Sequence, residues 1–378
     1  MPVLPLLAIN AILMMAVAAG LARFSPWPPQ AIAHVAFALG ILPLILAAMA
    51  YFIPVLTRSG SATHRGLKLV PLAAWLAGLS LIAGLSGTLP LTATSHAAFA
   101  LAGSALLTML GWCRHRARKM VGKPHPGYAW YIAALICLGL ALLAVPLMTV
   151  WPEHRAALRL FHLHLNLLGF VGLTAIGTLQ VLLPTAAGRP DPQVATRLAR
   201  DLKYAISGVL LIALGAGWLR PLAIIGTGLL LIAPLRMLQG WWQTNRAQIL
   251  QAHGTPASLA SAGIGLILLL LLGAAHGLHG LNELHGLNGQ NALVGYVAAF
   301  LLPLVSGAAA QLLPTWRKPG PQREWHAQQR AALGWLGGVR TWLMATGGVL
   351  LACGVPEGSW LVQGGGGLML LAALRALR

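Results

Sequence analysis

Two histidines separated by a single leucine, His162 and His164, stand in FHLHLNLLGFVGLTAIGTLQVLLPT (161–185), a stretch without one charged side chain. A neutral imidazole is a strong ligand for transition metals, and in hydrocarbon it is costly unless something pairs with it. On a helix, positions i and i+2 differ by about 200° in direction. His162 and His164 therefore address opposite sides of one helix and cannot serve one site. Such a helix can ligate two cofactors, or one cofactor and one second metal. His34 lies in a similar apolar stretch, and His96 begins another. For a lone embedded histidine such as His96, a hydrogen bond between helices is the competing role. A further group, HGLHGLNELHGLNG, carries His276, His279 and His285 with Glu283. His276 and His279, at i and i+3, share a face if the helix runs that far. Imidazoles with one carboxylate suit copper or non-haem iron; a solvated loop rich in Gly and Asn is the alternative.

The elements that position these residues follow from composition. Hydrophobic residues make up 58% of the 378 and charged residues only 8%, too apolar for a soluble domain of this length. Apolar runs of the length that crosses a bilayer as a helix recur twelve times, at roughly 3–23, 29–55, 67–88, 92–112, 128–149, 157–184, 202–218, 221–242, 258–278, 290–314, 331–353 and 358–376. The first has no basic residue ahead of it, so it is expected to be an uncleaved span and not a signal peptide. The expected fold class is an all-α polytopic membrane protein.

The formal charge of +19 suggests nucleic acid until its distribution is considered. With the N-terminus placed in the cytoplasm, the connections on that side hold 20 of the 25 basic residues; Arg23, Arg155, Arg159 and Arg220 fall outside, and Arg340 lies within a span. That asymmetry is the positive-inside pattern. It predicts an inner-membrane protein with both termini cytoplasmic and the lipid bilayer, not nucleic acid, as partner. Cys113, Cys137 and Cys353 show no metal or disulfide spacing and are expected to pack.

Three of the spans are related. Pro54, Pro184 and Pro314 recur at intervals of 130 residues, each near the end of an apolar run and followed by a basic loop. At the same interval His34 falls on His164, with Val294 in the third place, and Gly177 falls on Gly307. Three copies of a four-helix unit account for this: 1–127, 128–256 and 257–378. The copies share one orientation, which predicts parallel repeats about a pseudo-threefold axis along the membrane normal, not the inverted pair found in many transporters. In this frame His34, His162, His164, His96 and the 276–285 group all fall toward the outer face.

His34 and His164, at equivalent places in two repeats, are expected to converge from neighbouring helices as axial ligands of a flat iron porphyrin. Gly169 and Gly172, with Ala36 and Gly40, would leave room for the plate. The segment HLHLNLLGFVGLTAIGTLQVLLP resembles the His-x-His helix of the haem-copper oxidase subunit I superfamily, and AHVAFALGILPLILAAMAYFIPVLTR is similar to that superfamily's second helix. The NnrS-like haem- and copper-containing membrane proteins look alike too. The resemblance extends in layout to the whole chain and in sequence to residues 34–58 and 162–184. It implies twelve helices in three four-helix arcs, one or two b-type haems with copper as a further metal, His34 and His164 as low-spin haem ligands, and His162 as ligand to a second cofactor.

The chain departs from the oxidases at several points. The His-x-His helix is the sixth here and the tenth there, Val294 stands where a helix-10 histidine is needed, no His-His pair occurs, and no acid lies within a span. Proton-pumping oxygen reduction of the usual kind is therefore not expected. His162 pairs with a second cofactor or with His96. Arg159, three residues before His162, is placed to meet a haem propionate, or else is an interfacial arginine with its stem along apolar surface. Arg340 falls near the centre of the eleventh run, without an evident partner. No CxxCH is present, which excludes c-type attachment. Three functions stay open: a haem redox protein drawing electrons from quinol or a partner protein and acting on oxygen or nitric oxide, a copper permease, and a cofactor-free assembly subunit of the same fold.

Overall fold

A computed structural model describes residues 3–60, 65–120, 122–279 and 289–377. Helix accounts for 86% of the structure, and the described residues contain no strand. In hydrocarbon no water is present to satisfy a backbone N–H or C=O, so apolar runs of this length close their hydrogen bonds internally as helices. Nine helices among the described residues are long and apolar enough to cross a membrane: α1 Val3–Phe24, α2 Pro29–Leu56, α3 Gly66–Leu85, α4 Leu91–Lys119, α5 Gly127–Val150, α6 Pro152–Ala186, α8 Arg220–Ile249, α9 Thr255–Leu278 and α10 Gln290–Arg317. Between α6 and α8 lies α7 (Val194–Gly217), and α11 (Arg323–Leu333), α12 (Gly337–Ala352) and α13 (Gly358–Arg375) follow α10. The chain is a multi-pass helical membrane protein.

The helices fall into two compact units, residues 2–174 with 216–218, and residues 175–215 with 219–378. In the first, close approach of backbones does the packing. Gly40 of α2 meets α1, where an added Cβ would stand 3.2 Å from the Met14 Cβ and 3.4 Å from Ala11. Gly78 of α3 meets Ala38 and Leu39 of α2 in the same way. Small residues are what allow membrane helices to gain van der Waals contact where no hydrophobic effect separates helix from lipid. Gly40 thus serves the α1–α2 contact and does not open space beside His34. The connections join below these helices: Arg116 Nη1 donates to the Gly60 carbonyl at 2.9 Å, and the His125 N–H donates to the Leu56 carbonyl at 2.9 Å.

In the second unit, Gly208 of α7 and Gly226 of α8 lie against each other, and Ala299 of α10 is met by Gly265 of α9 and Gly348 of α12. An apolar cluster gathers Leu179 and Leu183 of α6, Met237 and Trp241 of α8, and Leu259 of α9.

Three helices widen to π-helical turns, over Val35–Ile41 in α2, Leu165–Gly172 in α6 and Tyr296–Leu301 in α10. Each stands about one and a half dozen residues before the proline of its helix, Pro54, Pro184 or Pro314. Turns of this kind concentrate at functional sites.

One apolar run expected as a single span is interrupted. The stretch 331–353 breaks between Leu333 and Gly337, where Leu336 adopts φ 46°. Arg340 accordingly sits in the first turn of α12, not in mid-helix. Its Nη2 donates to the Leu333 carbonyl at 2.7 Å and its Nη1 to the Trp335 carbonyl at 3.2 Å. The partner that sequence does not reveal is the unsatisfied end of the preceding helix.

Candidate functional site

His34 lies in the second turn of α2, at the residue that precedes the π-helical turn. Its Nδ1–H donates to the carbonyl of Gln30, one turn back, at 2.6 Å. His164 holds the equivalent place in α6 and does the same toward Leu160 at 2.8 Å. In both, the backbone bond assigns the proton to Nδ1 and leaves Nε2 as the acceptor nitrogen.

His162 is held differently. Its Nδ1–H reaches off its own helix to the carbonyl of Ala141 in α5, at 2.8 Å. Ala141 stands five residues before Pro146 in α5. The Nε2 of His162 accepts from the Asn166 amide at 3.2 Å, and the same amide donates to the His162 carbonyl at 2.8 Å.

The ring beside His34 is that of His162: the two centroids are 6.4 Å apart and the planes are 25° from parallel. His34 and His164, expected to pair, share no ring contact among the described residues. The reason is the angular step already noted. With His162 and His164 about 200° apart on α6, only one of them can face α2, and the packing of α6 against α5 turns His162 that way.

The donor set can be tested against a metal between these rings. A metal–imidazole bond of about 2 Å on each side, with about 1 Å from nitrogen to ring centre, requires centroids roughly 6 Å apart. The observed separation agrees. Both rings also have Nδ1 anchored on a backbone carbonyl, which fixes ring orientation and raises the basicity of Nε2. His34 and His162, a stacked pair at this spacing, are the residues that would hold a haem iron, with the Asn166 amide leaving His162 Nε2.

The other expected residues lie apart. His96 is exposed on α4, with its Nδ1–H donating to the Thr92 carbonyl at 2.7 Å; the structure does not bring it to His162. Arg159 is exposed on α6, with no hydrogen bond or ion pair among the described residues. His276 belongs to the second unit; it is half-buried in α9, and its Nδ1 is buried without a partner among the described residues. The His279 side chain and all of His285 lie outside the described residues, and with them the expected 276–285 cluster beyond His276. Among the described residues no group of three or more His, Cys, Asp or Glu side chains converges as a metal site.

Sequence reasoning missed Ala141 and Asn166. The first is a backbone acceptor and has no side-chain signature. Asn166 is legible in retrospect, at i+4 from His162, the spacing that puts it on the same face.

No family model matches the chain, and no curated protein matches it.

Proposed function

We propose that the chain is a b-type haem-binding redox protein of the inner membrane, with His34 and His162 as the axial pair. The observation that carries this reading is the 6.4 Å separation of their ring centroids, with each Nδ1–H committed to a backbone carbonyl. A bis-imidazole haem supplies one-electron transfer when bound. The residues of the chain hold the ring planes, keep the protons on Nδ1 and place the pair among apolar helices. His164, on the opposite side of α6 with the same tautomer, is the ligand available to a second haem or to copper. Arg159, one turn before His162 and without a hydrogen bond or ion pair among the described residues, is available to a propionate. Quinol or a partner protein would be the electron source, and oxygen or nitric oxide the expected substrates.

The finer architecture belongs to the same proposal: twelve spans in three parallel four-helix repeats, with both termini cytoplasmic and the histidine layer near the outer face. The recurrence of a π-helical turn at Val35, Leu165 and Tyr296, in step with the prolines, supports the repeat. The Lys/Arg asymmetry supports the orientation.

A second reading, a cofactor-free subunit, is favoured by the bond from Asn166 to Nε2 of His162, since a metal at that nitrogen must displace it. The visible spectrum of the purified protein separates the readings. Haem ligation gives a Soret band with sharp reduced-state bands, lost in His34→Ala and in His162→Ala and retained in His164→Ala. A colourless protein holding copper means a permease, and a colourless protein without metal means the cofactor-free subunit. Retention of the low-spin bands in both His34→Ala and His162→Ala would overturn the ligand assignment.

A further inference from the structure

Away from the histidines, in the second unit, α7 and α8 carry a cluster of charges built around one carboxylate. Asp201 lies beside the seventh apolar run in sequence, yet it is fully buried, with 0% exposure. Its Oδ1 accepts from Arg200 Nε at 2.8 Å and from Arg236 Nη1 at 2.8 Å, and Arg200 Nη2 stands 3.4 Å from Oδ2. The two arginine side chains remain 49% and 39% exposed. Tyr204 completes the arrangement: Lys203 Nζ is 5.1 Å and the Arg236 guanidinium 5.7 Å from its ring centre.

The cluster therefore holds three cations against one anion. A buried carboxylate between two arginines is a weak source of net stability, because its own desolvation offsets the attraction. What the arrangement does provide is orientation. Each guanidinium has five N–H donors in a planar fork; Asp201 engages two of Arg200 and one of Arg236, the rest of each side chain stays partly exposed, and Arg236 and Lys203 both stand over the Tyr204 ring. That is a preorganised receptor for a phosphate oxygen.

Its depth selects the source of the phosphate. From Ala205 to Gly217 along α7, and from Pro221 to Leu235 along α8, no charged residue occurs. Arg200, Lys203 and Arg236 are the first charges met at the end of both apolar stretches. They stand where hydrocarbon gives way to the headgroup region, and Leu235 and Leu214, 48% and 43% exposed, offer apolar surface on the hydrocarbon side.

We propose that Arg200, Lys203 and Arg236, oriented by Asp201 and Tyr204, form a binding site for the phosphodiester of an anionic phospholipid in the leaflet on the Lys/Arg-rich side. The proposal stands independently of any haem. It is tested by thermal unfolding of the full chain in a neutral detergent, with dioleoylphosphatidylglycerol, dioleoylphosphatidylcholine or inorganic phosphate added in turn. Phosphatidylglycerol raises the unfolding temperature of the native chain more than phosphatidylcholine does, and the difference is lost in Arg200→Gln/Arg236→Gln. That variant leaves Asp201 buried without a cation and unfolds at a lower temperature without lipid, so each chain's lipid response is read against its own lipid-free value. Lys203→Gln, which keeps both Asp201 ion pairs, is the second variant and also reduces the excess response to phosphatidylglycerol. An equal response to the two lipids, a lipid response retained in the double variant, or a shift with inorganic phosphate alone that matches phosphatidylglycerol, would each overturn the lipid site.

Discussion

The side-chain amide of Asn10 in α1 donates to the carbonyl oxygen of Leu39 in α2 across 2.6 Å. The bond follows from Pro43. A proline has no N–H, so the carbonyl four residues before it loses its usual helical partner, and in hydrocarbon that carbonyl has no water to turn to. Asn10 fills the gap from the neighbouring helix, beside the Gly40 contact that brings α1 close. Replacing Asn10 by Leu removes the donor and leaves the acceptor buried, at a cost of about 1–3 kcal/mol. Unfolding of Asn10→Leu in mixed micelles should show that loss. The double variant Asn10→Leu/Pro43→Ala restores an N–H at position 43 and should recover most of it; equal stability of Asn10→Leu and the native chain would remove the bond from the account.

How far sequence reached can be judged from particular residues. Nine of the twelve expected spans were legible among the described residues, because an unpaired backbone is intolerable in hydrocarbon and a run such as 128–149 has only one way to fold. The recurrence of Pro54, Pro184 and Pro314 was legible, and the π-helical turns fall in step with it, although no residue pattern marks a π-helical turn as such. The choice of His162 over His164 as the neighbour of His34 was not legible. It depends on the rotation of α6 about its axis, which the Ala141 carbonyl of another helix sets. Gly40 reads as room for a ligand or room for a helix with equal ease, and only the position of Met14 decides. The break at Leu336 was hidden because the flanking residues stay apolar through it.

That break yields a second prediction. Arg340, 2% exposed, spans the gap between α11 and α12 through the carbonyls of Leu333 and Trp335. No carboxylate meets it among the described residues, so its charge is balanced by the negative end of α11. Arg340→Met keeps the length and the apolar stem but leaves both carbonyls unpaired. The expected loss is about 2 kcal/mol, the cost of the bonds less the desolvation recovered. Arg340→Lys should fail to restore the native value, because its ammonium is a single nitrogen on a shorter stem, without the planar fork that sets Nη1 and Nη2 each toward its own carbonyl. Equilibrium unfolding of both variants checks this, and an Arg340→Met protein as stable as the native chain would mean that the guanidinium does not hold the break.

A third prediction concerns pH at the connection between α4 and α5. Nδ1 of His125 accepts the Gly127 N–H at 3.2 Å, at the start of α5. Burial, and then the positive charge of Arg58, lower the His125 pKa from its ordinary 6.5. Protonation would also replace the acceptor that faces Gly127 with a donor. The unfolded chain, free of these effects, takes up its proton near pH 6.5, while the folded chain does so only at lower pH. Stability is therefore unaffected by this group above that value and declines as pH falls below it, levelling once the folded imidazole is itself protonated. His125→Asn keeps an acceptor near Nδ1 and cannot titrate. The difference in unfolding temperature between native and variant chains should be constant above about pH 7 and should move against the native chain between about pH 6.5 and 5. A difference that stays flat across the whole range would show that His125 binds its proton equally well in the folded and unfolded chains.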